Sequence, residues 1–354
     1  MKARIIISFF LFLLLSLTII SATKDDGFGP YAPTPLKFIV PKGWPRPNTA
    51  FFAKNPLTEE GFQLGKKLFY DSRLSRDKEV SCASCHQPFA AFATFDHDLS
   101  HGVANTFTTR NAPALMNLAW MKELHWDGGI NHIEVQPLSP LTAPNEMGSS
   151  LDSVLLFLRK DPEYPRLFKK AFGDPAISSQ RMLKALAQFT GNLVTSNSKY
   201  DRVMNGLDSF SRFEKNGYVL FKTHCAGCHK EPLFTDNGFH NNGRPLNRLN
   251  DIGRMAITGN SSDSLKFKVP SLRNIQLTYP YMHDGSIFSV PQVIDHYIKV
   301  TAAQPKGLDS LLRAPIRLTA LQKNELTYFL YTLTDTAFTR SKRLGPDGPV
   351  YFKH

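Results

Sequence analysis

The chain has 354 residues, of which 42% are hydrophobic, so it is long enough for two domains with buried cores. Its formal net charge of +12 indicates either a solvated basic surface or a surface that attracts an acidic electron-donor protein. No nucleic-acid-binding motif accompanies this charge, which excludes nucleic acid as the expected partner. The 4 cysteines all fall in two Cys-x-x-Cys-His motifs, so none is left for a disulfide or a cysteine-ligated zinc site.

The N-terminus has the features of a secretory signal. Lys2 and Arg4 precede an apolar run over residues 5–20, and Ser21-Ala22 leads into polar sequence. Residues 1–22 are therefore predicted to be a signal peptide cleaved after Ala22. An uncleaved anchor is the alternative, since the apolar run is only just short of a membrane span. Either way we expect a periplasmic protein, without a membrane span in the mature chain if the signal is cleaved.

Residues 23–56 are rich in proline and show no helical periodicity, which predicts an extended arm laid over the first domain. Thr58 is then a predicted helix N-cap, with Glu59 and Glu60 in the first turn. This helix carries Gly65-Lys-Lys-Leu-Phe and leads to the first cysteine motif.

The first motif, Cys82-Ala-Ser-Cys85-His86, is the attachment pattern of a c-type haem. Its thiols form thioethers with the haem, and the histidine ligates the iron from one side. A thioredoxin-type redox pair or a zinc knuckle would explain a single Cys-x-x-Cys. However, the pattern returns as Cys225-Ala-Gly-Cys228-His229, and both copies carry the histidine. The sequence therefore predicts two covalently bound haem c groups.

The sequence before the second motif repeats the sequence before the first. Ser211 and Glu214 form a predicted capping box, and Gly217-Tyr-Val-Leu-Phe repeats the Gly-x-x-Leu-Phe pattern. This internal repeat predicts two related cytochrome c-like domains, an N-terminal haem domain over residues 57–206 and a C-terminal haem domain over 207–340. Residues 341–354 form a tail.

Two further amphipathic helices are predicted to close these domains. Over residues 178–206, Leu183, Leu186, Ala187, Leu193 and Val194 lie on one face at helical spacing. A helix capped by Thr319 and Gln322 closes the second domain. Residues 87–125 and 234–273 lack a clear period, which predicts long loops that wrap the haems. Strand signals are weak throughout, so the predicted fold class is mainly α.

The segment between the two haem motifs resembles the bacterial di-haem cytochrome c peroxidase family, which includes enzymes of the MauG type. The resemblance covers residues 57–335. It is carried by these motifs: Arg110-Asn-Ala-Pro113, the series Trp126, Gln136 and Glu146, Val269-Pro-Ser-Leu-Arg-Asn274, and Tyr279-Pro-Tyr-Met-His-Asp-Gly285.

The resemblance implies roles for several of these residues. The first haem, on His86, would be the peroxidatic one, with Glu146 as acid/base and Gln136 orienting the peroxide on its open face. Without the resemblance, Glu146 would be interpreted as an acidic residue that stabilises the N-terminus of a helix over residues 150–158. Trp126 would pass electrons between the haems, although a buried tryptophan with its indole N–H paired would look the same in sequence. A calcium ion between the haems would be held by Asn111, Thr278 and Pro280, whose oxygens suit a hard cation.

The resemblance also implies axial ligands. His101, with His97 as a substitute, would close the first haem until the second is reduced, as in conventional peroxidases, although a loop histidine is commonly solvated. The second haem, on His229, would take Tyr297 as its sixth ligand, as in MauG-type enzymes, with Met282 and His296 as competing ligands and a packed tyrosine as the alternative. A phenolate ligand lowers the reduction potential and a thioether raises it.

The predicted function is a periplasmic oxidoreductase that reduces hydrogen peroxide to water, with electrons from a small cytochrome or copper protein. One rival is a MauG-type oxidase of a partner protein's side chain, which Tyr297 and Pro140 favour. The other is a non-catalytic di-haem electron carrier, which would leave Glu146 and Gln136 without a role. Family members are often dimers, so the resemblance also implies a homodimer as an alternative to a monomer.

Overall fold

The computed structural model describes residues 31–48 and 50–348, and its fold is mainly α-helical, as the sequence predicts. Two short strands pair antiparallel, with Phe239 opposite Lys268. No helix among the described residues is long and apolar enough to cross a membrane. The predicted signal over 1–22, the first part of the arm and the end of the tail lie outside the described ranges.

In chain order the elements are α1 (Ala50–Ala53), α2 (Glu59–Tyr70), α3 (Cys82–Cys85), α4 (Leu138–Thr142), α5 (Leu151–Lys160), α6 (Tyr164–Phe172), α7 (Ser179–Thr190), α8 (Lys199–Met204), α9 (Arg212–His224), β1 (Phe239–His240), α10 (Met255–Thr258), β2 (Phe267–Lys268), α11 (Val290–Ala303), α12 (Ala320–Tyr331) and α13 (Thr336–Thr339).

The first hydrophobic core forms around α2, α6 and α7. Helix α2 begins where predicted, because the Thr58 side chain accepts a hydrogen bond from the Gly61 backbone N–H. It buries Phe62 and Leu68 against α7. A Cβ at Gly65 would overlap the Ala185 carbonyl group, so the glycine is what lets the two helices approach so closely.

The second core repeats this arrangement with α9 and α12. The predicted Ser211–Glu214 capping box is present at the start of α9. A Cβ at Gly217 would overlap the Glu325 carbonyl group, as at Gly65 in the first core. The repeated glycine therefore marks the same close helix crossing in both halves. In each half, the chain that leaves the crossing, after α2 or after α9, leads to a Cys-x-x-Cys-His motif.

The predicted helix over residues 178–206 is wrong in its extent. The structure has two shorter helices, α7 and α8, and the segment between them is irregular. Tertiary hydrogen bonds hold that segment: Asn117 N–H donates to the Leu193 carbonyl, and Thr195 Oγ1 donates to Asp335. Leu193 is fully buried in this irregular segment. The apolar residues of this buried loop are thus spaced like those on one face of a helix, although the loop is not helical.

The described part of the arm is extended, apart from the short helix α1, which the proline content did not predict. The arm packs on the first core, where Leu36 N–H donates to the Leu57 carbonyl. It also reaches the second half of the chain, because the Arg273 guanidinium lies 4.5 Å from the centre of the Trp44 ring. At the other end, Phe338 packs into the first core. Both ends of the described chain therefore tie the two halves together.

Candidate functional site

A cavity of about 720 Å³ lies between the two cores and is lined by both Cys-x-x-Cys-His motifs. Cys85, His86, Cys225, Cys228 and His229 all face it. Cys82 lines a small adjoining cavity that shares the Cys85 and His86 walls. None of the cysteines forms a disulfide. The two motifs, 143 residues apart in the chain, therefore open on one shared space.

The two histidines of the motifs are held in the same way. His86 Nδ1 lies 3.0 Å from the Phe92 carbonyl oxygen, and His229 Nδ1 lies 3.1 Å from the Phe234 carbonyl oxygen. A carbonyl only accepts, so Nδ1 carries the proton in both rings and the Nε2 lone pair is left for a metal. Burial lowers the pKa of His86 to about 4 and also lowers that of His229, which keeps both rings neutral. Paired thiols, neutral imidazoles and a large cavity fit two haem c groups.

Gln136 and Glu146 line the cavity together with His86. Glu146 lies in the loop between α4 and α5, where its backbone is fixed by hydrogen bonds from Val103 N–H and to the Ala143 carbonyl. It precedes the N-cap of α5, Ser150, so it is not a first-turn carboxylate. Burial raises the pKa of the Glu146 carboxyl group. This environment favours the protonated carboxyl group more than water does, a property found in side chains that transfer protons.

The structure does not bring His101 or His97 to the cavity. The two imidazole rings lie against each other with their centres 5.1 Å apart, and His101 also packs on Phe107 at 4.6 Å. Neither histidine is among the residues that line the cavity wall. As an iron ligand, His101 would need its loop, which is pinned by the backbone bridge between His101 and Phe107, to rearrange.

Trp126 lines the cavity between residues of the two halves. Its indole N–H donates to the Asn111 carbonyl oxygen at 2.8 Å, so its polar atom is satisfied. Its own carbonyl accepts from Lys268 N–H at 2.7 Å, which joins it to strand β2. Nearby, Arg110 pairs with both Asp127 and Asp251. Hydrogen bonds to both halves of the chain thus hold the tryptophan, beside ion pairs that also join the two halves.

The three residues expected at a calcium site, Asn111, Thr278 and Pro280, line this same cavity. The Asn111 side-chain amide donates through Nδ2 to the Asp98 carbonyl oxygen at 3.0 Å. That bond uses the amide nitrogen, and Oδ1 is the atom of the side chain that could bind a cation. An amide oxygen beside backbone carbonyls is a donor set of the kind that calcium accepts.

Tyr297 and Met282 both line the cavity near the second motif. Burial raises the pKa of the Tyr297 phenol to about 12. Asn242 donates from Nδ2 to the Met282 sulfur at 3.5 Å. His296 faces elsewhere: it is not part of the cavity wall, and its Nε2 lies 3.0 Å from the Asn242 carbonyl oxygen. The structure therefore leaves Tyr297 and Met282 in reach of the second haem position and turns His296 away.

Among the cavity residues without a role in the sequence interpretation are two histidines and a lysine with polar atoms at the wall. His125 lines the wall beside Gln136, and His240 lies between the carboxylates of Asp236 and Asp309, at 3.0 and 2.8 Å. Lys268 is the third, and burial lowers its pKa to about 8. His125 stands next to Trp126 in the sequence, which was the one available signal.

Known proteins resemble this chain over most of its length. A family model described as di-haem cytochrome c peroxidase matches residues 59–209. The methylamine utilization protein MauG of Methylorubrum extorquens is 37% identical over 319 residues, which are 88% of this chain and 88% of that protein. The cytochrome c551 peroxidase of Nitrosomonas europaea is 35% identical over 258 residues, covering 69% of this chain and 74% of that protein.

A solved structure has the same fold. It is a MauG-like protein associated with microbial copper homeostasis, with a TM-score of 0.81 and 34% sequence identity, and the match covers 88% of this chain and 99% of that one. The relatives carry both MauG and peroxidase names. The chain is therefore an oxidoreductase of the di-haem cytochrome c peroxidase family, with two haem c groups as its cofactors.

Proposed function

We propose that this chain is a periplasmic di-haem c-type peroxidase that reduces hydrogen peroxide to water with electrons from a small redox protein. The observation that carries the proposal is that Glu146 and Gln136 share one cavity wall with His86. A carboxyl group whose pKa is raised by burial is what proton transfer near neutral pH requires. An electron carrier would have no use for such a group.

The proton movements can be assigned to this chain's own residues. A haem held by Cys82, Cys85 and His86 would supply the iron and the electrons for peroxide reduction. Glu146 would take the proton from one peroxide oxygen and return it to the other, which would leave as water. The Gln136 carboxamide orients the peroxide and stabilises charge as the O–O bond breaks. Overall, one peroxide takes up two electrons and two protons and gives two molecules of water.

Electrons would enter through the second haem, held by His229 and, in this proposal, by Tyr297. Trp126, which lines the cavity that both motifs share, would connect the two haems. The net charge of +12 favours an acidic cytochrome or copper protein as the donor. Calcium at Asn111, Thr278 and Pro280 would fix the loops from both halves around this route.

A second function is favoured by one specific observation. Tyr297 lines the cavity at the second motif, and a tyrosine ligand belongs to MauG-type enzymes, among which is the 37% identical relative. In that case the same peroxide chemistry at His86 would oxidise a side chain of a partner protein instead of drawing electrons from a donor.

One experiment separates these functions. The diferric protein is examined by low-temperature EPR and optical spectroscopy before and after one equivalent of H2O2 without a reductant. A parallel assay adds a reduced small cytochrome and measures peroxide consumption. Turnover in that assay supports the peroxidase. Long-lived loss of both ferric signals, without turnover by the cytochrome, supports the MauG-type oxidase. Two low-spin ferric signals that peroxide does not change, both before and after one-electron reduction, would contradict both and indicate a carrier.

A further inference from the structure

The imidazole of His125 is a polar group in the cavity wall that the proposed chemistry does not yet use. It lies in a turn closed by the backbone bridge between Leu124 and Ile130. Within that turn the backbone of His125 is left-handed, with φ of 66°. A non-glycine residue in this conformation is uncommon. The turn thus holds the side chain toward the cavity at a cost in backbone energy.

His125 contacts the residue proposed to orient peroxide. Its Nε2 lies 3.4 Å from Nε2 of Gln136. An amide nitrogen only donates, so the imidazole Nε2 accepts and the ring proton sits on Nδ1. Burial lowers the pKa of His125, with Lys268 and Arg110 acting in the same direction and Asp127 opposing them. The ring is therefore neutral near pH 7, as an acceptor must be.

We propose that His125 is a positioning residue of the peroxide site, which fixes the orientation of the Gln136 carboxamide. A carboxamide can turn by half a circle about its last bond, which exchanges its oxygen for its NH2 group. In the tautomer with its proton on Nδ1, the imidazole accepts at Nε2 only from the NH2 end of the amide, so that orientation is stabilised. The amide then presents a fixed acceptor and a fixed remaining donor to a ligand on the first haem. Such contacts are commonly long before the ligand binds and shorten afterwards.

This inference rests on the proposed role of Gln136, so its test avoids peroxide turnover. Fluoride binds ferric haem as a small anion, and its charge-transfer absorption band reports hydrogen bonds that the bound ion receives. The measurement is the fluoride Kd and the position of this band for the first haem of the diferric holoprotein. The variants are His125→Phe, His125→Gln, Gln136→Leu and the double variant His125→Phe/Gln136→Leu. His132→Phe is the matched control, because His132 lies outside the cavity wall.

His125→Phe is expected to weaken fluoride binding about three- to tenfold, the effect of one neutral hydrogen bond, and to shift the band. His125→Gln keeps an amide acceptor and is expected to restore most of the affinity. The double variant is expected to match Gln136→Leu alone, since a residue that acts through another shows no additional effect. Should His125→Phe fail to retain haem, His125→Gln takes its place in the cycle, where a shifted band and the same lack of additivity are expected.

Three results would overturn the proposal. The first is a His125→Phe protein with wild-type fluoride affinity and band position. The second is full additivity in the double variant, which would mean that His125 acts independently of Gln136. The third is an absence of fluoride binding to the wild-type first haem, because the face beside Gln136 would then be closed. Peroxide turnover, measured separately on the wild-type protein, tests the proposed function, so the two failures are distinguishable.

Discussion

Replacing Glu146 by Gln removes the proposed proton carrier and keeps the size and polarity of the side chain. Loss of a general acid/base lowers turnover by about 10²- to 10⁴-fold, which corresponds to about 3 to 5 kcal/mol in the activation barrier. The variant is expected to lose peroxide turnover to this extent, while its haem spectra stay nearly unchanged because Glu146 is not an iron ligand in this proposal. The part of the pH dependence of turnover that comes from titration of the Glu146 carboxyl group is expected to be absent in the variant.

The same substitution, which lowers turnover, is expected to raise the stability of the folded protein at neutral pH. Burial raises the pKa of Glu146 in the folded protein, so the folded state binds the proton more tightly than the unfolded state. Stability from this group is therefore lost as pH rises above the unfolded value of about 4.3. Glu146→Gln is expected to be more stable than the wild-type protein at pH 7, and the difference should vanish below pH ~4, where the unfolded carboxyl is also protonated.

The assay pairs steady-state peroxide consumption with denaturant unfolding of the holoprotein at pH 7 and at about pH 4. Glu134→Gln is the matched control, since Glu134 is in the same stretch of chain but outside the cavity wall. The reasoning would be refuted by full peroxide turnover in the Glu146→Gln protein. A variant less stable than wild type at pH 7 would refute the account of the raised pKa.

Four further outcomes are expected. Tyr297→Met replaces a phenolate by a thioether and should raise the reduction potential of the second haem, which spectroelectrochemistry measures; an unchanged potential would mean that Tyr297 is not a ligand. His101→Ala should leave the EPR spectrum of the diferric protein unchanged, because His101 lies outside the cavity wall; appearance of a new high-spin signal would show that it closes the first haem. Asn111→Leu should lower the bound calcium measured by metal analysis, and equal calcium in both proteins would exclude this site. Arg273→Leu leaves the buried Asp201 without its paired bonds at 2.8 Å, so the free energy of unfolding should fall by about 3–5 kcal/mol; a loss below about 1 kcal/mol, typical of exposed pairs, would contradict this.

Predictions that rest on neighbouring residues were correct, whereas features that depend on contacts between distant segments could not be predicted. The caps at Thr58, Ser211 and Thr319 are present in the structure, because a cap depends only on the next three residues. The helix over residues 178–206 was predicted too long, since its second half is held by bonds to Asn117 and Asp335, which are far away in the chain.

The candidate site divides in the same way. The haem motifs are complete within five residues each, so their chemistry can be derived from the sequence alone. The position of His101 depends on the path of a loop, which spacing from His86 does not determine. His125 acquires its proposed role only through Gln136, eleven residues later. No feature of a lone histidine reveals such a contact.

The cavity beneath both motifs bears on how the protein is made. Its volume of about 720 Å³ is space that the side chains of the polypeptide do not fill. In a chain without haem, the apolar part of the wall of this cavity would face water, and removing apolar surface from water is a main favourable contribution to folding. Because a group held by the folded state stabilises that state, we expect the chain with its haems attached to be more stable than the chain without them. Haem attachment and the close packing of α2 on α7 and of α9 on α12 are thus expected to support each other.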